Sequence, residues 1–237
     1  MSAEIAKRFW KTADVAELDN GFTVHLDGRP IKTPAKAPLK LPTRAIAKAI
    51  TAEWAALTDK IDPARLPLTR SANAAIDKVT PQHAEVADMI AAYGDADLTC
   101  YRAEYPDGLI ARQAEAWDPL LEWAGTHLNA RLTPVTGVIH APQNPQALQA
   151  LSDQVHALDA FTLAAFHDLV SLSGSLIIGF AALHDLHPAQ DLWRFSRVDE
   201  LWQEQEWGKD DEASEMAAQK ESAFLHAKFF ANLVRQT

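Results

Sequence analysis

The segment Gly21-Phe22-Thr23-Val24-His25-Leu26-Asp27-Gly28-Arg29-Pro30-Ile31-Lys32-Thr33 decides what kind of fold this chain adopts. Phe22, Val24 and Leu26 alternate with Thr23, His25 and Asp27, the period of a strand that buries one face. Asp27-Gly28 then supplies the residue pair of a tight hairpin turn, whose central positions need positive φ. A hairpin is therefore expected from residue 21 to residue 33. Pro34 and Pro38 cannot donate to a ladder, so they are expected at strand ends or edges, bracketing a second turn.

Beyond the hairpin the period changes to that of helices. Thr43 is expected to cap a helix reaching Thr58, with Ile46, Ala49, Ile50, Trp54 and Leu57 on one face. Asp62-Pro63 and Leu66-Pro67 read as stops, and Thr80-Pro81 as the next start, followed by Val86, Met89 and Ile90 on the buried side. A helix is expected over 108–129, where Ile110, Gln113, Trp117, Leu120, Leu121, Ala124 and Leu128 form a broad stripe. Pro134, Gly137, Pro142 and Pro145 then break the chain into a loop, or a short strand at 135–139. Asn144-Pro145 opens a helix with Leu148, Leu151, Val155 and Leu158. The stretch 162–183 is apolar on nearly every side and is expected as one central helix, with Gly174 and Gly179 permitting close packing. His187-Pro188 precedes a helix closed at Gly208, and a last helix runs from Ala213 to Val234. The expected class is α+β: a small β-rich N-terminal domain with one helix and a linker (1–80), followed by a larger all-helical C-terminal domain (81–237).

Composition narrows the function. With 48% apolar residues and seven Trp in 237 residues, the chain can build a sizeable core. Its net charge of −10 is uneven: up to Thr80 there are 13 Lys and Arg against 9 Asp and Glu, leaving 9 against 23 beyond. Nucleic acid would be repelled by most of such a surface, and no recognition motif is present. The single Cys100 cannot form an internal disulfide, and 1–19 lacks the apolar run of a secretory signal, so a reducing, cytoplasmic compartment is expected. The best membrane candidate, 161–183, carries His167, Asp168, Ser171, Ser173 and Ser175, which would be costly in hydrocarbon; stable membrane insertion is not expected.

Catalytic chemistry is hard to assemble from these residues. His184 and His187, with Asp185 between them, have a spacing that could hold a metal, but Pro188 makes a helix end the simpler reading. His167-Asp168 with Ser171 and Ser175 lacks a nucleophile elbow and an oxyanion loop. Adjacent residues on a helix are not expected to face each other. Cys100 beside Arg102 has no credible base and reads as a buried thiol, and Asp95 and Asp97 could pair with Arg102 or bind a cation but lack the rest of a calcium loop. The acidic tract Asp199, Glu200, Glu204, Glu206, Asp210, Asp211, Glu212 and Glu215 is either a solvated face or a set of carboxylates for a basic partner, with Trp202 as an apolar anchor. No cofactor or metal is expected. A structural or general protein-binding module, and less so a small metal-dependent hydrolase, are the alternative readings.

Several stretches together resemble a known family. Arg8-Phe9-Trp10-Lys11, Leu26-Asp27-Gly28-Arg29-Pro30-Ile31-Lys32-Thr33-Pro34, Pro67-Leu68-Thr69 and Asn73-Ala74-Ala75-Ile76-Asp77 occur in the order found in the assembly chaperones of the catalytic head of ATP synthase. So do Asp97-Leu98-Thr99-Cys100-Tyr101-Arg102-Ala103, Gln113, Trp117-Asp118-Pro119-Leu120, Trp123, Glu200, Trp202-Gln203 and Trp207-Gly208. The resemblance covers essentially the whole chain, and implies a non-enzymatic chaperone that binds the unassembled alpha subunit and prevents its aggregation before pairing with beta. It also implies a β-rich front, a helical remainder, a free monomer, and action in the bacterial cytoplasm, the mitochondrial relatives acting in the matrix. The family's important acidic residue is placed by position at Glu200, with Asp199 second, and Trp202, Gln203, Glu204 and Trp207 complete the expected partner-binding set. Leu201 interrupts the family's usual acidic run, and Asp210-Asp211-Glu212 departs from its common sequence after Trp-Gly.

Overall fold

The computed structural model describes residues 7–236; the first six residues of the expected N-terminal domain and Thr237 lie outside them. Strands β1 (Ala13–Leu18), β2 (Gly21–Leu26) and β3 (Arg29–Pro30) form an antiparallel sheet in that order. Asp27 and Gly28 both take positive φ, +48° and +77°, so this pair closes the β2–β3 hairpin as its chemistry predicts. The Asp27 carboxylate also accepts from the backbone N–H groups of Lys11 and Thr12 at 2.9 and 2.8 Å, which tethers the approach to β1. Those two donors hold the Asp27 carboxyl below its ordinary value.

Thr43 caps α1 (Arg44–Ala56), its hydroxyl accepting from Ile46 N–H at 3.2 Å and donating to the carbonyl of Leu233 at 2.6 Å, 190 residues away. Trp10, Leu26, Leu57 and Leu66 make the buried cluster beneath the sheet, with Trp10 edge-on to Trp54 at 5.2 Å between ring centroids.

The expected stop at Leu66-Pro67 is a start. Pro67 occupies the first turn of α2 (Pro67–Ala74), where its missing N–H costs nothing. Glu53 of α1 takes the orphan donors that follow: Leu68 N–H at 2.6 Å and Thr69 N–H at 2.9 Å. From α2 the chain stays helical through a π segment (Ala75–Val79) and a 3₁₀ turn (Thr80–Gln82) into α3 (His83–Ala91). Thr80 is therefore not a cap. Its hydroxyl donates back to the Ala75 carbonyl at 2.8 Å, and its backbone is helical.

A two-stranded parallel pair follows, β4 (Tyr101–Arg102) with β5 (Val135–Thr136), separated in sequence by α4 (Asp107–His127). Asn144 caps α5 (Pro145–His156), as its type and position predict. The expected single helix over 162–183 is two: α6 (Ala160–Ser173) and α7 (Leu176–Leu183). Gly174 takes φ +72° at the break, a conformation that costs a side chain about 1–2 kcal/mol, and Ser175 caps α7 through Ile178 N–H at 3.0 Å. Gly179 does permit close packing, since a Cβ there would lie 2.6 Å from Val170 and 2.9 Å from Phe166. The expected helix ending at Gly208 also divides, into α8 (Ala189–Phe195) and α9 (Val198–Trp207), and α10 (Asp211–Arg235) completes the set.

By packing, the chain falls into two compact units. One runs through His83 and takes in Asp159–Ala165 and the chain from Phe229 on; the other comprises Ala84–Leu158 and Phe166–Lys228. The division falls within α6 and within α10. The first holds the three-stranded sheet and the second is dominated by helices, so the chain is α+β with a strand-bearing front and a larger helical part. No helix among the described residues is long and apolar enough to cross a membrane.

The buried polar centre of the helical unit is Asp97. Its carboxylate accepts from Thr99 N–H (3.0 Å), Thr99 Oγ1 (2.7 Å), Ser175 Oγ (2.7 Å) and Ile177 N–H (3.0 Å). It thus ties the 97–100 turn to the start of α7, rather than pairing with Arg102, which meets Asp118 at 2.8 Å. Cys100 is fully buried, and burial first, then the nearby Asp97 charge, pushes its thiol up to about 12, so it is not a nucleophile.

Candidate functional site

All six residues expected to meet a partner lie on α9, and the helical unit holds that helix in place from α4. Trp117, with no exposed surface, donates its indole N–H to the Phe195 carbonyl at 2.7 Å and packs with Ala116 and Val198. One turn earlier on α4, Gln113 is also buried. Its Nε2 donates to Asp199 Oδ1 at 2.6 Å while its Oε1 accepts from Ala103 N–H at 2.8 Å. A buried amide must satisfy both its ends, and these two partners do so. Asp199 is therefore committed to fixing α9 against α4 and the segment after β4.

Glu200 sits differently. It pairs with Arg197 at 2.6 Å, with 44% of its side chain exposed, and Arg197 in turn lies over the Trp193 ring. The two adjacent acids thus divide into one turned inward and one presented to solvent.

The two tryptophans divide in the same way. Trp202 lies on Gly108 of α4, where a Cβ would come within 2.6 Å of the indole, and Arg112 covers the ring at 4.7 Å while bonding Gln205 at 2.7 Å. Trp207, at the end of α9, is 80% exposed. Leu201 is exposed as well, and it lines a groove of about 340 Å³ with Arg112, Glu115, Ala116, Phe195 and Val198. Gln203 is exposed and Glu204 partly so. The first ten residues of α10 continue the acidic surface with Asp211, Glu212 and Glu215, and carry an exposed Met216. Chemically, α9 and the start of α10 expose three large apolar side chains, Leu201, Trp207 and Met216, among carboxylates.

The other candidates make contacts of their own within the fold. His184 packs edge-on to Trp123 and His187 edge-on to Phe195, the rings serving as packing groups. His167 and Asp168 do meet, at 2.9 Å between Nδ1 and Oδ1, which corrects the expectation that neighbours on a helix cannot. That bond raises the His167 pKa against the opposing effect of burial. Ser175 is spent on Asp97 and on capping α7. Asp95 accepts from Gln143 N–H at 2.8 Å and faces His140 at 3.3 Å. Among the described residues no group of three or more His, Cys, Asp or Glu is placed to hold a metal ion.

Sequence reading placed Gln113 in a motif but missed its role, because its two partners lie 10 and 86 residues away. Gly108 and Arg112, which seat and cover Trp202, carried no signal beyond helix composition.

Residues 7–125 match the family described as ATP12 chaperone protein. The chain is 26% identical over 223 residues to protein atp12, mitochondrial, of Schizosaccharomyces pombe, covering 89% of this chain and 76% of that one. Two solved structures share its fold at a TM-score of 0.95. Atp12 from Paracoccus denitrificans is 47% identical and aligned over 97% of this chain and 99% of its own. A mutant of P. denitrificans Atp12p bearing an aspartate-to-lysine change is 46% identical and aligned over 97% and 98%.

Proposed function

We propose, for a chain that belongs to the ATP12 chaperone family and is an assembly chaperone for the ATP synthase alpha subunit, that α9 and the start of α10 hold that subunit before it pairs with beta. The observation that carries this reading is the exposed Trp207 ring at the end of α9, a helix that also exposes Leu201 and is otherwise rich in carboxylates. An unassembled subunit exposes apolar surface meant for an oligomeric interface, which is an aggregation hazard. Trp207 and Leu201 would pack on such surface. Glu200, Gln203 and Glu204 would meet polar and basic groups at its edge, while Asp199 and Trp202 hold α9 in the orientation that presents them. Binding of this kind stabilises the unpaired subunit by mass action and yields when beta competes, with no nucleotide hydrolysis by the chaperone. In this reading the chaperone is non-enzymatic, monomeric when free, acts in the bacterial cytoplasm, and binds no nucleic acid.

Co-expression with isolated alpha subunit tests the reading: its soluble yield should rise and a complex should be purified. An unchanged yield with no complex would end it. Trp207→Ala should weaken the purified complex by about 30-fold, the scale of a tryptophan hot spot. Its thermal midpoint should stay at the wild-type value, because the ring packs on little of its own chain.

A further inference from the structure

A second set of exposed apolar side chains lies off α9. Because β4 and β5 are parallel, the chain leaves both strands at the same end, placing 103–106 beside 137–140. Gly137 N–H donates to the Arg102 carbonyl at 2.8 Å, and a Cβ on Gly137 would lie 3.0 Å from Glu104 Oε1. At this end Tyr105, Val138 and Ile139 are 78%, 94% and 83% exposed. Isolated exposed apolar residues are ordinary; three large ones on two adjoining segments are not.

The loop that carries Val138 and Ile139 is held in shape. Buried Gln143 closes its base, accepting from Thr133 N–H at 2.8 Å and donating to the Thr133 carbonyl at 2.9 Å. His140, next to the tip, meets Tyr101 Oη at 3.2 Å and Asp95 at 3.3 Å. A loop so pinned loses little further freedom when it binds, which favours use as a contact.

The cluster is also continuous with α9. Residues 103–108 are fastened to α9 at both ends, through Ala103–Gln113–Asp199 on one side and Gly108 under Trp202 on the other, and Tyr105 projects between the two. Glu104 and Asp107 flank it, so the rim is acidic here as it is on α9.

On the strength of the function proposed above, we infer that Tyr105, Val138 and Ile139 form a second apolar contact for the same unassembled alpha subunit, against an apolar surface of that subunit edged by basic side chains. The bound subunit then spans from α9 across Tyr105 to the 138–139 tip.

The test uses the full chain and isolated alpha subunit. Affinity is measured for wild type, for Val138→Ser with Ile139→Ser, and for Val138→Lys with Ile139→Lys, with thermal unfolding of each variant alone. The serine pair should bind about tenfold more weakly, and the lysine pair more weakly still because it also opposes a basic rim, with unfolding unchanged in both. Wild-type affinity in both folded double variants would overturn the inference and leave the α9 reading standing. Failure of the wild-type chain to bind alpha would overturn both. Should the lysine pair not fold, the serine pair decides.

Discussion

Replacing Asp97 by alanine will lower the stability of this protein by about 4 kcal/mol, the cost of stranding several buried donors at once. Four groups converge on the carboxylate, two of them backbone N–H groups of residues with no exposed surface. Asp97→Asn should cost less, about 2–3 kcal/mol, because it keeps one acceptor but turns an NH₂ toward a donor. Burial pushes the Asp97 carboxyl above its ordinary value, while Ser175, Thr99 and Ile177 oppose that shift. The folded state therefore holds this proton to higher pH than the unfolded state does. Its contribution is fully present below the unfolded carboxylate value of about 3.9 and falls as pH rises through the folded value. The stability gap between wild type and Asp97→Asn should accordingly narrow as pH is raised from acid. Chemical denaturation across pH checks this, and a gap that widens would show the reverse shift.

Glu200→Lys will weaken binding to the alpha subunit by about 2–4 kcal/mol, roughly 30-fold to 1000-fold, if the carboxylate is desolvated against a basic group. The fold should barely register the change. The Arg197–Glu200 pair is partly exposed, and solvent-screened pairs of this kind contribute about 1 kcal/mol or less. Asp199→Ala makes the useful contrast, because it leaves the buried Gln113 amide half satisfied and should lower stability as well as affinity. Affinity by calorimetry, with thermal unfolding of each variant alone, separates the two roles. Equal affinity of Glu200→Lys and wild type at physiological salt would remove Glu200 from the interface.

What the residues disclosed in advance was mostly local chemistry. The turn at Asp27-Gly28 and the caps made by Thr43 and Asn144 need only neighbours three residues away or fewer, and each sits where its type demands, although Asp27 and Thr43 also make long-range bonds. Strand β1 was missed because Ala13-Asp14-Val15-Ala16-Glu17-Leu18 has no fully buried residue and alternates weakly; its place comes from pairing with β2. The start of α2 was read as a stop because its cap, Glu53, lies on another helix. The break at Gly174 was hidden within an apolar run, since the carboxylate that supports it comes from 78 residues upstream. On α9 the same limit applies. Trp202 and Trp207 are alike in type and close in sequence, and it is Gly108 and Arg112 on the facing helix that cover the first ring. Likewise Asp199 and Glu200 are neighbours whose difference is made by Gln113.

The hydrogen bond from Thr43 to Leu233 has a consequence for the order of synthesis. The strands of the front unit leave the ribosome first, yet that unit also contains 159–165 and the end of α10. During translation this unit stays incomplete until 159–165 and the end of α10 have emerged. A protein that shelters an unfinished subunit is thus itself unfinished until the final turns of α10 arrive, and a bulky side chain placed there would be felt at Thr43 and the start of α1.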